Sequence, residues 1–319
     1  MPITFTQIRS FLAVRRTGSV HAAAGQLLVS QPSVSAALSA LGRELGVTMV
    51  ERHGRGVRLT EAGEAFAPYA AQALGLIEQG RNAAREAAHP EHSRIRLAAV
   101  NTAGEYLAPA IISAYRNVSP GTSVLLEVGN RASVFERLES RRADIGIGGR
   151  PAGRPVSGHP FFANELIVVG KEIPAELAAT PWLLRGEGSG TRVATERLLG
   201  DLGLGGEGTG GNSVEVGRPE LLTLGSNGAI KQGLAVGLGI TLISRLAVAR
   251  ELAEGALREI PVPGTPLRRP WFVLLPDSGP RRPAVEAFAA FLRSDEARRA
   301  IEGTAPARSS HRTESMNHS

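Results

Sequence analysis

The sequence predicts an α/β protein assembled from three parts: a small helical unit closed by a β-hairpin, one long helix, and a larger two-lobed α/β module. Three observations predict it. Residues 1–60 carry three short helical patterns with capping signals and then a hairpin pattern, residues 61–88 hold one uninterrupted helical period, and from Arg94 short apolar strands alternate with helices. At 319 residues the chain has room for about two or three units with cores of their own.

The first helix starts at a capping box. Thr4 and Gln7 stand at the reciprocal positions, Ile8, Phe11 and Leu12 follow at helical spacing, and Gly18 ends the run after about Thr17. Ser19 can cap a second helix ending near Leu27 and Leu28, in which Ala22, Ala23 and Ala24 are small enough for another helix to come close. Ser30 caps a third, with Pro32 tolerated in its first turn. There Val34, Leu38 and Leu41 share one face, and the opposite face carries Gln31, Ser35 and Ser39. Short hydrogen-bonding side chains on an exposed helix after a tight turn suit a DNA major groove, and they equally suit the solvated face of a small bundle. The next segment favours DNA. Val50 to Leu59 reads as a hairpin whose tip carries Arg52, Arg55 and Arg58, as in a wing that holds phosphates.

Residues 1–60 are therefore expected to form a winged helix-turn-helix. Gly18-Ser19, Ala23-Ala24, Leu27, Ser30-Gln31-Pro32-Ser33-Val34-Ser35, Leu41, Leu45-Gly46, Glu51-Arg52 and Leu59-Thr60-Glu61-Ala62-Gly63 are similar, in order and spacing, to the LysR-type transcriptional regulators. The resemblance implies that Gln31, Pro32, Ser33 and Ser35 lie at the groove and that Arg52 and Arg55 lie on the wing. Ala36 stands where that family often has a basic residue, and Gly42 where it usually has glutamate.

Thr60 caps the long helix, expected over residues 61–88 as a linker. Phe66, Ala70, Ala73, Ile77, Gly80, Ala84 and Ala87 recur in steps of four and three, the seam of a helix pair. Phe66, Ala73 and Ile77 are the expected dimer contacts, with packing on the protein's own core as the alternative. His89-Pro90-Glu91-His92-Ser93 breaks the helix.

An effector module is expected over residues 89–302. Ile95–Val100, Ser123–Val128 and Asp144–Gly148 read as strands, with helices at about Glu105–Arg116 and Ser133–Arg141, the pattern of parallel βαβ units. The rhythm recurs from Leu166 to Ser244, and Trp271–Leu275 with the helix after Pro283 returns to the first half. Lobe I would take about 94–162 and 268–302, lobe II about 163–267, with a cleft between them. Residues 303–319 lack an apolar period and are expected to be disordered, and Gly203 to Gly211 to be a loop.

Helix N-termini favour anions, and two glycine-rich turns lead into helices: Gly186 to Arg192, and Gly225 to Lys231. Asn101 to Glu105 and Gly148 to Arg150 follow strands of the other lobe. The candidate effector residues are Thr102, Asn130, Arg131, Arg150, Ser189, Thr191, Arg192, Ser226, Asn227 and Lys231. Thr102 with Gly104 to Leu107, Gly129-Asn130-Arg131, Gly149-Arg150-Pro151, Gly188 to Arg192, Gly225-Ser226-Asn227, Ala229 to Gln232 and Gly237 to Ile240 resemble the CbbR-like, carbon-fixation branch of the LysR type. Gly228 replaces a glutamate common in that branch. The resemblance implies a periplasmic-binding-protein-like (type 2) effector domain, a phosphorylated effector, and a homodimer or homotetramer on a double-stranded DNA operator. A non-phosphorylated carboxylate is the alternative effector.

Composition limits the other classes. A formal net charge of +6 leans toward polyanion partners. The absence of cysteine removes disulfides, thiol nucleophiles and zinc–thiolate clusters. Seven scattered histidines without HExxH, and neither GxGxxG with a downstream acid nor a P-loop, leave no metal, cofactor or catalytic residue to expect. No apolar run approaches the roughly 18 residues of a membrane span and the N-terminus lacks a signal-peptide pattern, so a cytoplasmic protein without a membrane partner is expected, in preference to an exported ligand-binding transport protein.

Overall fold

The computed structural model describes residues 2–151, 153–205 and 218–303. They form two compact units, Met1–Ser93 with Glu136–Asp144, and Arg94–Phe135 with Ile145–Ser319. The expected tail and most of the Gly203–Gly211 loop lie outside the described residues.

In the first unit, α1 (Phe5–Thr17) begins at the Thr4 capping box, with both reciprocal bonds formed, and stops at Gly18, whose φ of 63° is open to glycine. Ser19 caps α2 (Val20–Leu27), and Ser30 caps α3 (Gln31–Leu45). β1 (Val50–His53) and β2 (Gly56–Leu59) pair antiparallel, Val50 opposite Leu59. Thr60 then caps α4 (Glu61–Ala88) while its hydroxyl donates to the Thr48 carbonyl at 2.6 Å. Ile8, Phe11, Val14, Val34, Leu38, Leu41, Met49 and Ala67 meet in one core. Each large side chain buried there contributes about 1.5–3 kcal/mol.

Phe66 belongs to this core. Its ring stands 5.6 Å from that of Phe11, because the first turns of α4 pack on α1, so the expected dimer seam does not begin there. Ala70 is buried with it, whereas Ala73 and Ile77 remain exposed. The Glu136–Asp144 segment joins this unit through Gln79 Nε2, which donates to Asp144 Oδ1 at 3.3 Å.

In the second unit, lobe I is built on β3 (Arg94–Val100), β4 (Ser123–Gly129), β5 (Ile145–Gly148) and β6 (Val156–Phe162). Lobe II holds β7 (Glu165–Gly170), β8 (Trp182–Leu184), β9 (Leu221–Thr223), β10 (Thr241–Ser244), β11 (Arg258–Ile260) and β12 (Leu267–Arg268), and β13 (Trp271–Pro276) returns to lobe I. The lobe I order is β4-β3-β5-β13-β6, with β3 parallel to β4 and β5 but β13 antiparallel to both neighbours. In lobe II β7 pairs antiparallel with β10, β11 and β12, and β8 pairs parallel with β9. The expectation of parallel units thus fails for β7 and β13. Both lie beside the crossings between lobes, where a strand entering from the other lobe need not follow a right-handed βαβ crossover.

The helices are α5 (Asn101–Tyr106), α6 (Ala108–Val118), α7 (Arg131–Glu139), α8 (Gly190–Asp201), α9 (Asn227–Ala235), α10 (Ala249–Ala253), α11 (Pro283–Leu292) and α12 (Asp295–Glu302). The single helix expected over Glu105–Arg116 is two. Pro109 has no N–H for the Glu105 carbonyl, and it serves instead in the first turn of α6. The lobe I core gathers Ile95, Leu97, Ile145, Ile147, Val273 and Phe288, with Tyr115 edge-on to Phe288 at 4.8 Å. Strand β7 alternates: Leu166 and Val168 face one lobe II cluster with Trp182, and Ile167 and Val169 face another with Ile230.

Candidate functional site

Two constellations stand out. On the first unit, Val34, Leu38 and Leu41 turn inward and fix the rotation of α3, leaving Gln31, Pro32, Ser33, Ser35 and Ser39 exposed together. The Ser33 hydroxyl lies 2.7 Å from that of Ser30, so it shares in the cap. The three hairpin arginines differ. Arg58 Nε lies 2.6 Å from Glu51 across the ladder, while Arg52 and Arg55 are exposed and have no partner among the described residues. Gly63 explains the glycine of the Thr60–Gly63 motif: a Cβ there would stand 2.2 Å from the Met49 carbonyl oxygen.

The second constellation is a cleft of about 580 Å³ in the second unit. Strand ends and helix N-termini build it from both lobes. Asn130 caps α7, its Oδ1 accepting from Ser133 N–H at 2.9 Å, and Ser189 caps α8. Both N-termini therefore direct unpaired N–H groups and the positive end of a helix dipole at the same space. Gly188, with a φ of 75°, lets the lobes approach: a Cβ there would stand 2.7 Å from Asn130 Nδ2.

Of the candidates from sequence, Thr102, Asn130, Arg131, Arg150, Ser189 and Thr191 line the cleft. The other four do not. Ser226 caps α9, accepting from Ala229 N–H at 3.1 Å. Arg192 turns to Glu196, at 2.7 Å, and to the Arg185 carbonyl. Lys231 Nζ pairs with Glu251 at 2.7 Å and lies 5.6 Å from the centroid of the Tyr106 ring, so its charge is already matched. Asn227 is buried behind the cleft wall, bonded to Arg185, Thr102 and Glu105.

Sequence reasoning missed Arg185, Arg268, Arg269, Trp271 and Phe272, all on the lining. A signal for Arg185 existed: it directly follows the apolar run Trp182–Leu184, and the carboxyl ends of such strands are where ligands bind in α/β sheets. Arg185 is 5% exposed. Its Nη1 donates to Asn227 Oδ1, and the Asn101 amide, in the orientation its neighbours demand, accepts from Nη2 at 2.8 Å and donates to the Gly129 carbonyl at 3.1 Å. Burial holds the Arg185 pKa below the ordinary arginine value, with Glu105 and Tyr106 opposing the shift. Burial also lowers that of Arg131, reinforced by the charges of Arg154 and Arg269. Arg131 is held by the Arg150 carbonyl, 2.6 Å from Nη2, and by the Phe135 ring. Five arginines line the cleft, and no aspartate or glutamate does so among the described residues.

A winged helix-turn-helix followed by a two-lobed module with an anion-seeking cleft defines a ligand-responsive DNA-binding regulator. A family model described as a bacterial regulatory helix-turn-helix protein of the lysR family matches residues 5–64, and one described as a LysR substrate binding domain matches residues 88–297. The chain belongs to the LysR family of transcriptional regulators. It is 31% identical over 300 residues to the HTH-type transcriptional activator CmpR of Synechocystis, covering 91% of this chain and 94% of that one. The RuBisCO operon transcriptional regulator of Acidithiobacillus ferrooxidans is also 31% identical over 300 residues, covering 91% of this chain and 93% of its own. Among solved structures, the Synechocystis CcmR regulatory domain in complex with 2-PG is 27% identical with a TM-score of 0.54, covering 63% of this chain and 95% of that domain. Among the described residues no helix is long and apolar enough to cross a membrane.

Proposed function

We propose that this LysR-type regulator takes a small phosphorylated anion into the cleft of its second unit and adjusts its hold on DNA in response. The observation that carries the reading is the lining: five arginines, two helix N-termini, and no carboxylate among the described residues. That much positive charge fits a phosphate better than a single carboxylate. Thr102, Asn130, Arg131, Arg150, Arg185, Ser189 and Thr191 are the proposed ligands. The 2-PG bound to the CcmR domain supports the same class of effector. Gln31, Pro32, Ser33, Ser35 and Ser39 are the proposed groove residues, with Arg52 and Arg55 on the flanking phosphates. Ala73 and Ile77 are proposed to meet a second copy along α4, forming a homodimer or a pair of dimers. The effector acts by binding one lobe arrangement better than another, since equal affinity would shift nothing. Calorimetry with sugar phosphates, 2-phosphoglycolate, nucleotides and plain dicarboxylates tests the reading. A phosphorylated compound is expected to bind at least tenfold more tightly than its carboxylate counterpart, and binding of carboxylates alone would replace it with the other effector class.

A further inference from the structure

Thr102 lines the cleft and Asn227 does not, yet they are joined: Asn227 Nδ2 donates to Thr102 Oγ1 at 3.4 Å. Asn227 is 1% exposed, and both protons of its amide and its oxygen have partners. Its Oδ1 accepts from Arg185 Nη1, and its Nδ2 also donates to Glu105 Oε2 at 2.8 Å. These partners fix the amide's direction. A guanidinium can only donate and an ionised carboxylate can only accept, so a reversed amide would face donor with donor and acceptor with acceptor.

A consequence follows for Thr102. A hydroxyl has one proton and two acceptor lone pairs. Since Asn227 must donate in this pair, Thr102 Oγ1 must accept, and its own proton has no acceptor among the described residues. Thr102 is itself buried, 7% exposed, on the cleft wall. Arg185 beside it shows the same imbalance, for its buried Nε–H finds no acceptor among the described residues. The Asn101 oxygen that could have served as an acceptor in the cleft is already bonded to Arg185 Nη2.

We infer that Asn227 is a positioning residue that turns this wall into a set of donors: it commits the Thr102 hydroxyl to donate into the cleft and steadies the Arg185 guanidinium beside it. The wall then favours acceptor-only groups such as phosphate. Asn227 acts through Thr102 and Arg185 without touching the ligand, whereas its sequence context places it among the direct ligands. This inference rests on the anion reading of the cleft.

The test is a double-mutant cycle in the full-length protein, read by calorimetry with inorganic phosphate and 2-phosphoglycolate. Thr102→Val and Asn227→Ala are each expected to weaken 2-phosphoglycolate about tenfold, the effect of one hydrogen bond to a charged group. The double variant is expected to bind within about twofold of Asn227→Ala alone, because without the amide the Thr102 hydroxyl is no longer committed to donate and its removal costs nothing further. Losses that multiply to about a hundredfold overturn the positioning role, since a merely structural Asn227 would act independently of Thr102. Thermal denaturation checks each variant. Should Asn227→Ala not fold, Asn227→Leu keeps the size and takes its place under the same criterion, since it likewise removes the donor that commits Thr102. Wild-type protein that binds neither probe overturns the anion reading and the positioning role with it. Wild-type binding with Thr102→Val unaffected leaves the anion reading standing and removes the role.

Discussion

The arginines of the hairpin and Arg185 of the cleft are the same residue in opposite physical surroundings. Arg52 on the short ladder and Arg55 in its turn are exposed and without a side-chain partner among the described residues. Such charges suit phosphates in any register, and on the proposed function they add affinity that is indifferent to sequence and falls as salt rises. Arg185 is buried, gripped by two neutral amides, and holds a pKa below the usual value because water has been removed from it. A buried cation with neutral partners is costly until an anion arrives, which makes it selective. The difference lies in the surroundings, and on the proposed function burial separates the arginines of general affinity from the arginine of choice.

The contrast can be broken most decisively at Arg185. Arg185→Met is expected to cost about 3 kcal/mol of effector binding, about a hundredfold, while the salt dependence of DNA binding stays as it was. A loss below fivefold by calorimetry would make Arg185 no different from a surface arginine. Ile77→Asp places a charge on the exposed side of α4 and is expected to leave a monomer in sedimentation, with operator affinity reduced at least tenfold and effector binding intact. A dimer that persists and binds its operator normally would remove α4 from the interface. The double change Arg52→Ala with Arg55→Ala should lower the slope of log K against log salt by about two, equally on specific and random DNA. A selective loss on the specific site would assign these side chains to bases.

The smallest effect is expected at Lys231, a candidate from sequence that the structure pairs with Glu251. Lys231→Met should change effector affinity by less than twofold and lower stability by about 1 kcal/mol, seen as a few degrees in Tm. A tenfold loss of affinity would return Lys231 to the cleft.

The sequence by itself determined the local elements of residues 2–88 nearly to the residue, though not that Glu136–Asp144 would join them. Its helices begin at Thr4, Ser19, Ser30 and Thr60 and stop at Gly18 and Gly46 because caps and left-handed turns act between neighbours a few residues apart. The same local logic made the exposed side of α3 legible from the spacing of Val34, Leu38 and Leu41. It found the N-termini of α8 and α9 as well, whereas Asn130 at the start of α7 came from the family resemblance. What only the tertiary structure decided is which charges remain unmatched. Glu251 reaches Lys231 from another helix, and Phe11 draws Phe66 against the core. Arg185, in the sequence only a lone cation after an apolar strand, becomes the most buried charge of the cleft because Asn101 and Asn227 come to it from both lobes. Coulomb partners and desolvation depend on distance in space, and spacing along the chain carries no record of them.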